Sequence, residues 1–115
     1  MKENLIQGKS FDFSLSIIQL YKKIQGNKEF MLSKQVLRSG TSIGANIEEA
    51  VAAQSKKDFL HKMSIASKEA RETRYWLKLL NQSKLVEFDY TVYLNQIEEI
   101  INILTKIVKT TAERI

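Results

Sequence analysis

The chain has 115 residues, no cysteine and no proline, 43% hydrophobic and 27% charged residues, and a net charge of +5. That length suits one domain over residues 1–115 with a buried core, and the missing thiols exclude disulfide scaffolds, cysteine nucleophiles and thiolate metal sites. No run approaches 18 apolar residues, and Gln7, Lys9 and Asp12 interrupt the first apolar stretch, so neither a membrane span nor a signal peptide is expected and a cytoplasmic location fits.

In chain order, a first helix is expected over about 10–25, between Gly8 and Gly26. Phe13, Ile17, Leu20 and Ile24 make its stripe, with Phe11, Leu15 and Ile18 widening it. Gly26-Asn27 reads as a break, with Asn27 the expected N-cap of the next helix. The second helix is expected over about 28–54, with Leu32, Val36, Ile43, Ile47 and Ala50 on one side. Its centre holds Gly40 and Gly44. Each glycine costs a helix about 1 kcal/mol relative to alanine, so the pair implies close approach of another backbone or a break into two shorter helices.

Ser55 and Asp58 resemble a capping box at the start of a third helix, about 56–82. Phe59, Met63, Ala66, Ala70, Thr73, Leu77 and Leu80 step by four and three without interruption, the pattern of a packed seam. The fourth helix is expected over about 88–112, beginning near Glu87–Tyr90 with two acids in its first turn. Tyr90, Leu94, Ile97, Ile101, Leu104 and Val108 form its seam, and Tyr93, Ile100 and Ile107 a second stripe. Four helices with short links predict an all-α, antiparallel up-down-up-down bundle. The breadth of the fourth helix's apolar face points to burial against another chain or to simple cover by the first helix.

Charge is concentrated in residues 56–84, where eight basic and three acidic residues give a net +5, equal to the excess of the whole chain. At 100° per residue, Lys56, Lys57, Lys68, Arg71, Arg74 and Lys78 share an arc away from the seam, with Tyr75 among them. Such an arc suits a row of phosphates, with an aromatic ring for an exposed base, and equally suits an ordinary solvated face. Lys22 and Lys23 on the first helix could add to it. A second arc carries Glu69 and Glu72 between Ile65 and Trp76, and Arg38, Ser42, Asn46 and Glu49 edge the core on the second helix. Folding the two helices about residue 55 sets Arg38 opposite Glu72, Asn46 opposite Ser64 and Glu49 opposite His61. Polar contacts led by Arg38–Glu72 are therefore expected, a partly buried guanidinium needing a carboxylate.

Catalytic signatures are missing. His61 is the one histidine, no Arg stands at nuclease-like spacing before it, and Gly40–Gly44 lacks the Lys-Ser/Thr of a P-loop. A di-iron bundle wants two Glu-x-x-His motifs, and only Asp58-x-x-His61 exists. The expectation is a non-enzyme with no metal and no cofactor.

Leu37, Arg38, Ser42, Ile43, Asn46, Ile47 and Glu49, followed by Ser55, Asp58 and Phe59, and then by Lys68, Ala70, Glu72, Tyr75, Trp76 and Leu77, form a pattern that resembles the four-helix-bundle proteins encoded in intervening sequences of bacterial 23S rRNA genes. The likeness covers nearly the whole chain. It implies a four-helix bundle assembled as a homopentamer, without established catalytic residues, and a similarity to the accessory variability protein of diversity-generating retroelements, which works with a reverse transcriptase and nucleic acid. A pentamer would carry about +25 in all, a strong field for a polyanion. The function expected is RNA or DNA binding through Lys57, Lys68, Arg71, Arg74, Tyr75 and Lys78 with little sequence preference. The alternative is a scaffold that docks a reverse transcriptase or another protein.

Overall fold

Four helices carry the fold: α1 (Lys2–Gly26), α2 (Met31–Val51), α3 (Lys56–Ser83) and α4 (Thr91–Glu113). The structure, a computed structural model, describes residues 2–115, with side chains from Leu5 onward. Each helix packs on its neighbours in the ring α1–α2–α3–α4–α1. With short links, that ring is the antiparallel up-down-up-down bundle. Its long axis of 46 Å matches the roughly 42 Å length of the 28-residue α3.

The boundaries move for physical reasons. α1 begins at Lys2 rather than near Ser10 because Ile6 extends the buried line Phe13–Ile17–Leu20–Ile24 by two turns. Burying an isoleucine outweighs the helix penalty of Gly8. α2 begins at Met31 rather than Lys28 because residues 27–29 close α1. The Lys28 amide bonds the Gln25 carbonyl at 2.8 Å and the Glu29 amide the Ile24 carbonyl at 3.4 Å, a Schellman motif. Asn27 does not cap α2: its Nδ2 donates to the Lys23 carbonyl of α1. The α2 cap is the Glu29 carboxylate, which accepts from the amides of Met31, Leu32 and Ser33 at 3.0, 2.8 and 2.8 Å. At the head of α3, Ser55 Oγ accepts from the Asp58 amide at 3.0 Å, as a capping serine does. Glu87 and Asp89 lie before α4, not in its first turn, and Asp89 Oδ1 accepts from the Thr91 amide. Hydrogen bonds from the Thr91 side chain and backbone hold the Asp89 carboxyl below its ordinary range.

α2 runs unbroken through both glycines. A Cβ on Gly40 would stand 3.0 and 3.1 Å from Ile17 Cγ2 and Cγ1, whereas one on Gly44 would meet Ser10 and Ser14 at ordinary distances. The absent side chain at Gly40 lets α1 settle onto α2. Between α2 and α3, the buried hydroxyls of Ser39 and Thr73 lie 2.9 Å apart, each also bonded to a carbonyl of its own helix. These bonds satisfy two polar groups inside the seam.

Of two apolar surfaces, one follows an alternative the sequence left open and the other departs from expectation. On α4, Ile100 and Ile107 are buried and Tyr93 half-buried, so that helix's second stripe is used up inside the chain. On α1, Phe11, Leu15 and Ile18 do not widen the core stripe. They lie about 160° around the helix from it and stay in solvent, Phe11 at 64% exposure. The unpartnered apolar face belongs to α1.

Candidate nucleic-acid interface

The groove between α2 and α3 holds a polar network. Arg38 Nη2 binds Glu72 Oε2, Arg38 Nη1 lies 3.5 Å from Glu69 Oε2, and Gln35 Oε1 accepts from Arg38 Nε and Nη2. Trp76 Nε1 donates to the same Glu72 oxygen at 2.9 Å. Glu72 thus serves a guanidinium from α2 and an indole one turn further along α3, which fixes the register of the two helices. The expected partners further down are replaced. Glu49 takes Lys62 at 3.0 Å rather than His61, because the ammonium reaches across while the His61 ring stays exposed. Asn46 Nδ2 turns back to the Ser42 carbonyl on its own helix rather than across to Ser64. Gln35, Lys62 and the Trp76 indole were not expected in this network. Only Trp76 gave a sequence signal, lying four residues after Glu72.

The basic arc of α3 divides in two. Lys57, Lys68 and Lys78 are exposed. Arg71 is exposed too, but its Nη2 donates to Thr105 Oγ1 of α4 at 3.1 Å, and Arg74 Nη1 pairs with Glu98 Oε1 of α4 at 2.8 Å. Arg74 therefore does not stand on a free face, and Arg71 reaches across to α4 while staying exposed. α3 packs on α4 as well as α2, and their long stems cross that second seam. Arg71 keeps its full charge beside a neutral hydroxyl, while Arg74 is offset by a carboxylate. Tyr75 is 57% exposed, its ring edge-on to Trp76 with centroids 5.2 Å apart. Lys57 to Lys78 spans about 32 Å of helix, long enough for several phosphates.

A cleft between α1 and α4, bridged by the Lys9–Glu99 ion pair, is lined by Asp12, Val92, Asn95, Gln96 and Ile100. Among the described residues no group of three metal-ligating side chains comes together, and no helix is long and apolar enough to cross a membrane.

The 23S rRNA-intervening sequence protein model matches residues 2–106. The chain is also similar to a crystal structure of a protein of unknown function from the S23 ribosomal protein family of Bacteroides thetaiotaomicron VPI-5482. The two share 49% identity with a TM-score of 0.89, over 95% of this chain and 99% of that one. No curated protein matches. The family match runs through the Arg38–Glu72–Trp76 network and the whole basic arc of α3, and on that evidence the chain belongs to the 23S rRNA-intervening sequence protein family.

Proposed function

We propose that this protein is a non-enzymatic, cytoplasmic homo-oligomer, a pentamer by family likeness, that binds RNA or DNA through the outer face of α3 with little sequence preference. The observation that carries the reading is the row Lys57, Lys68, Arg71 and Lys78, exposed along one helix with no carboxylate within salt-bridge reach among the described residues. Such a row neutralises phosphates irrespective of base sequence. Oligomerisation would use the α1 stripe Phe11, Leu15 and Ile18, because scattered exposed apolar residues are common but a helical line of them is an interface pattern.

The test is fluorescence anisotropy of nuclease-treated protein against structured RNA and duplex DNA at about 50 and 200 mM salt, where several phosphate contacts change affinity by orders of magnitude. Lys68→Glu with Lys78→Glu should weaken binding and leave the circular dichroism unchanged. A folded wild-type oligomer that binds neither nucleic acid at low salt would refute the reading. The same α1 stripe favours a second reading, a scaffold that docks a protein such as a reverse transcriptase. That reading predicts that Phe11→Ser with Leu15→Ser abolishes partner capture while light scattering still shows the native oligomer.

A further inference from the structure

In the bundle the α1–α2 link and the α3–α4 link share one end, where Lys23 Nζ in the last turn of α1 lies 5.1 Å over the Phe88 ring of the second link. Both links turn through the left-handed region at a lysine, Lys28 with φ 64° and Lys84 with φ 56°. These are the only positive-φ residues among those described, while all four glycines sit in helical segments. Lys28 is the C′ residue of the Schellman motif that closes α1, a position glycine or asparagine fills with less strain. The backbone therefore asks for glycine at both turns, and the chain supplies an ammonium at each.

The surroundings repeat that choice. Lys22, Lys23, Lys28, Lys34, Lys78 and Lys84 all lie within about 8 Å of this end along the helix axes, exposed and without a salt bridge among the described residues. The exposed acids there are Glu87 and Asp89, Glu29 being spent on the α2 cap. Between the lysines stand large apolar side chains in solvent: Phe30 at 50%, Met31 at 78% and Leu85 at 61% exposure. A duplex would use the lysines but hide its base faces from Phe30. A flat anionic bilayer would have to take Glu87 and Asp89 down beside Leu85 and Phe88. A flexible single strand offers both phosphates and unstacked bases, and can route around two carboxylates.

The geometry points to single-stranded nucleic acid as the occupant of this end of the bundle: lysines of the two links hold phosphates, and Phe30 presents its open ring to an unstacked base. This deepens the nucleic-acid reading of the α3 face and depends on it. The lysine arc of α3 reaches the same end at Lys78, so one strand can run from the side of the bundle onto its tip.

The test uses anisotropy with a labelled single-stranded RNA 20-mer and a duplex of equal length, read across about 50–200 mM salt. Lys28→Gly with Lys84→Gly should fold at least as well as wild type, weaken single-strand binding, and flatten the slope of log K against log salt by about 1.4, two phosphate contacts on a single strand. Lys28→Asn with Lys84→Asn should do the same by a second route. Phe30→Ala should weaken single-strand binding about fivefold or more and leave duplex binding and the salt slope unchanged. Wild-type single-strand binding that both sets of variants retain in full would overturn this site and leave the α3 face standing. Absence of all nucleic-acid binding by wild type would overturn both. Co-sedimentation with phosphatidylserine vesicles, lost in the lysine variants, from a protein that ignores the single strand would assign the tip to a membrane surface instead.

Discussion

Gly40 and Gly44 sit one turn apart in α2, and the same substitution should have opposite effects at the two. Replacing a helical glycine by alanine gains about 1 kcal/mol of helix propensity. At Gly44 the new Cβ would meet Ser14 Oγ at 3.5 Å and Ser10 at 3.6 Å, ordinary contacts, so the gain survives. Gly44→Ala should raise Tm by about 4 °C. At Gly40 the Cβ would press on Ile17 at 3.0 and 3.1 Å. Ile17 is fully buried and branched at Cβ, so it has no rotamer to yield into. Overpacking of this kind costs about 1–3 kcal/mol. Set against the propensity gain, Gly40→Ala should lose about 1 kcal/mol and lower Tm by a few degrees. Thermal and urea unfolding at one fixed protomer concentration reads both variants, since any self-association makes Tm concentration-dependent. In an Ile17→Ala background the Gly40→Ala penalty should vanish, because the atoms it strikes are gone. Equal shifts of the same sign at both glycines would show that α1 does not approach α2 as described.

Glu29→Ala should cost about 2 kcal/mol in urea unfolding, since it removes the acceptor of three amides at the α2 N-terminus, and Glu29→Gln should cost less by keeping one oxygen there. Equal losses in the two would show that the carboxylate's hydrogen bonds are not what holds the turn. Tyr90 is buried with its hydroxyl 2.9 Å from the Val86 carbonyl, and burial first, then the Glu29 charge, pushes its pKa above the ordinary value of 10.0. The folded state favours the protonated phenol, so this contribution is whole below about pH 10 and is lost as pH rises through the folded value. Tyr90→Phe should cost about 1 kcal/mol at neutral pH and lose less stability than wild type as pH rises above about 9. Parallel stability–pH curves would refute that role for Tyr90.

Much of this protein is set by its sequence. The three-and-four spacing of Met63, Ala66, Ala70, Thr73, Leu77 and Leu80 fixes α3 and its buried seam, and the absence of proline lets four long helices form. The Arg38–Glu72 contact could be placed from register alone, because two antiparallel helices joined by a short turn leave little freedom in relative height. What the sequence left open turns on which neighbour a side chain meets, and that depends on the lateral order of the helices. Phe11, Leu15 and Ile18 could be read as core until α1 settled with Phe13 and Ile17 inward; Arg71 and Arg74 could be read as free until α4 stood beside them. The lysines at Lys28 and Lys84 carry no sequence signal of a left-handed turn, because lysine is not the residue such turns favour. Periodicity along one helix determines which residues share a face. Only the packing of all four determines what that face meets, because the contact belongs to two elements far apart in the chain.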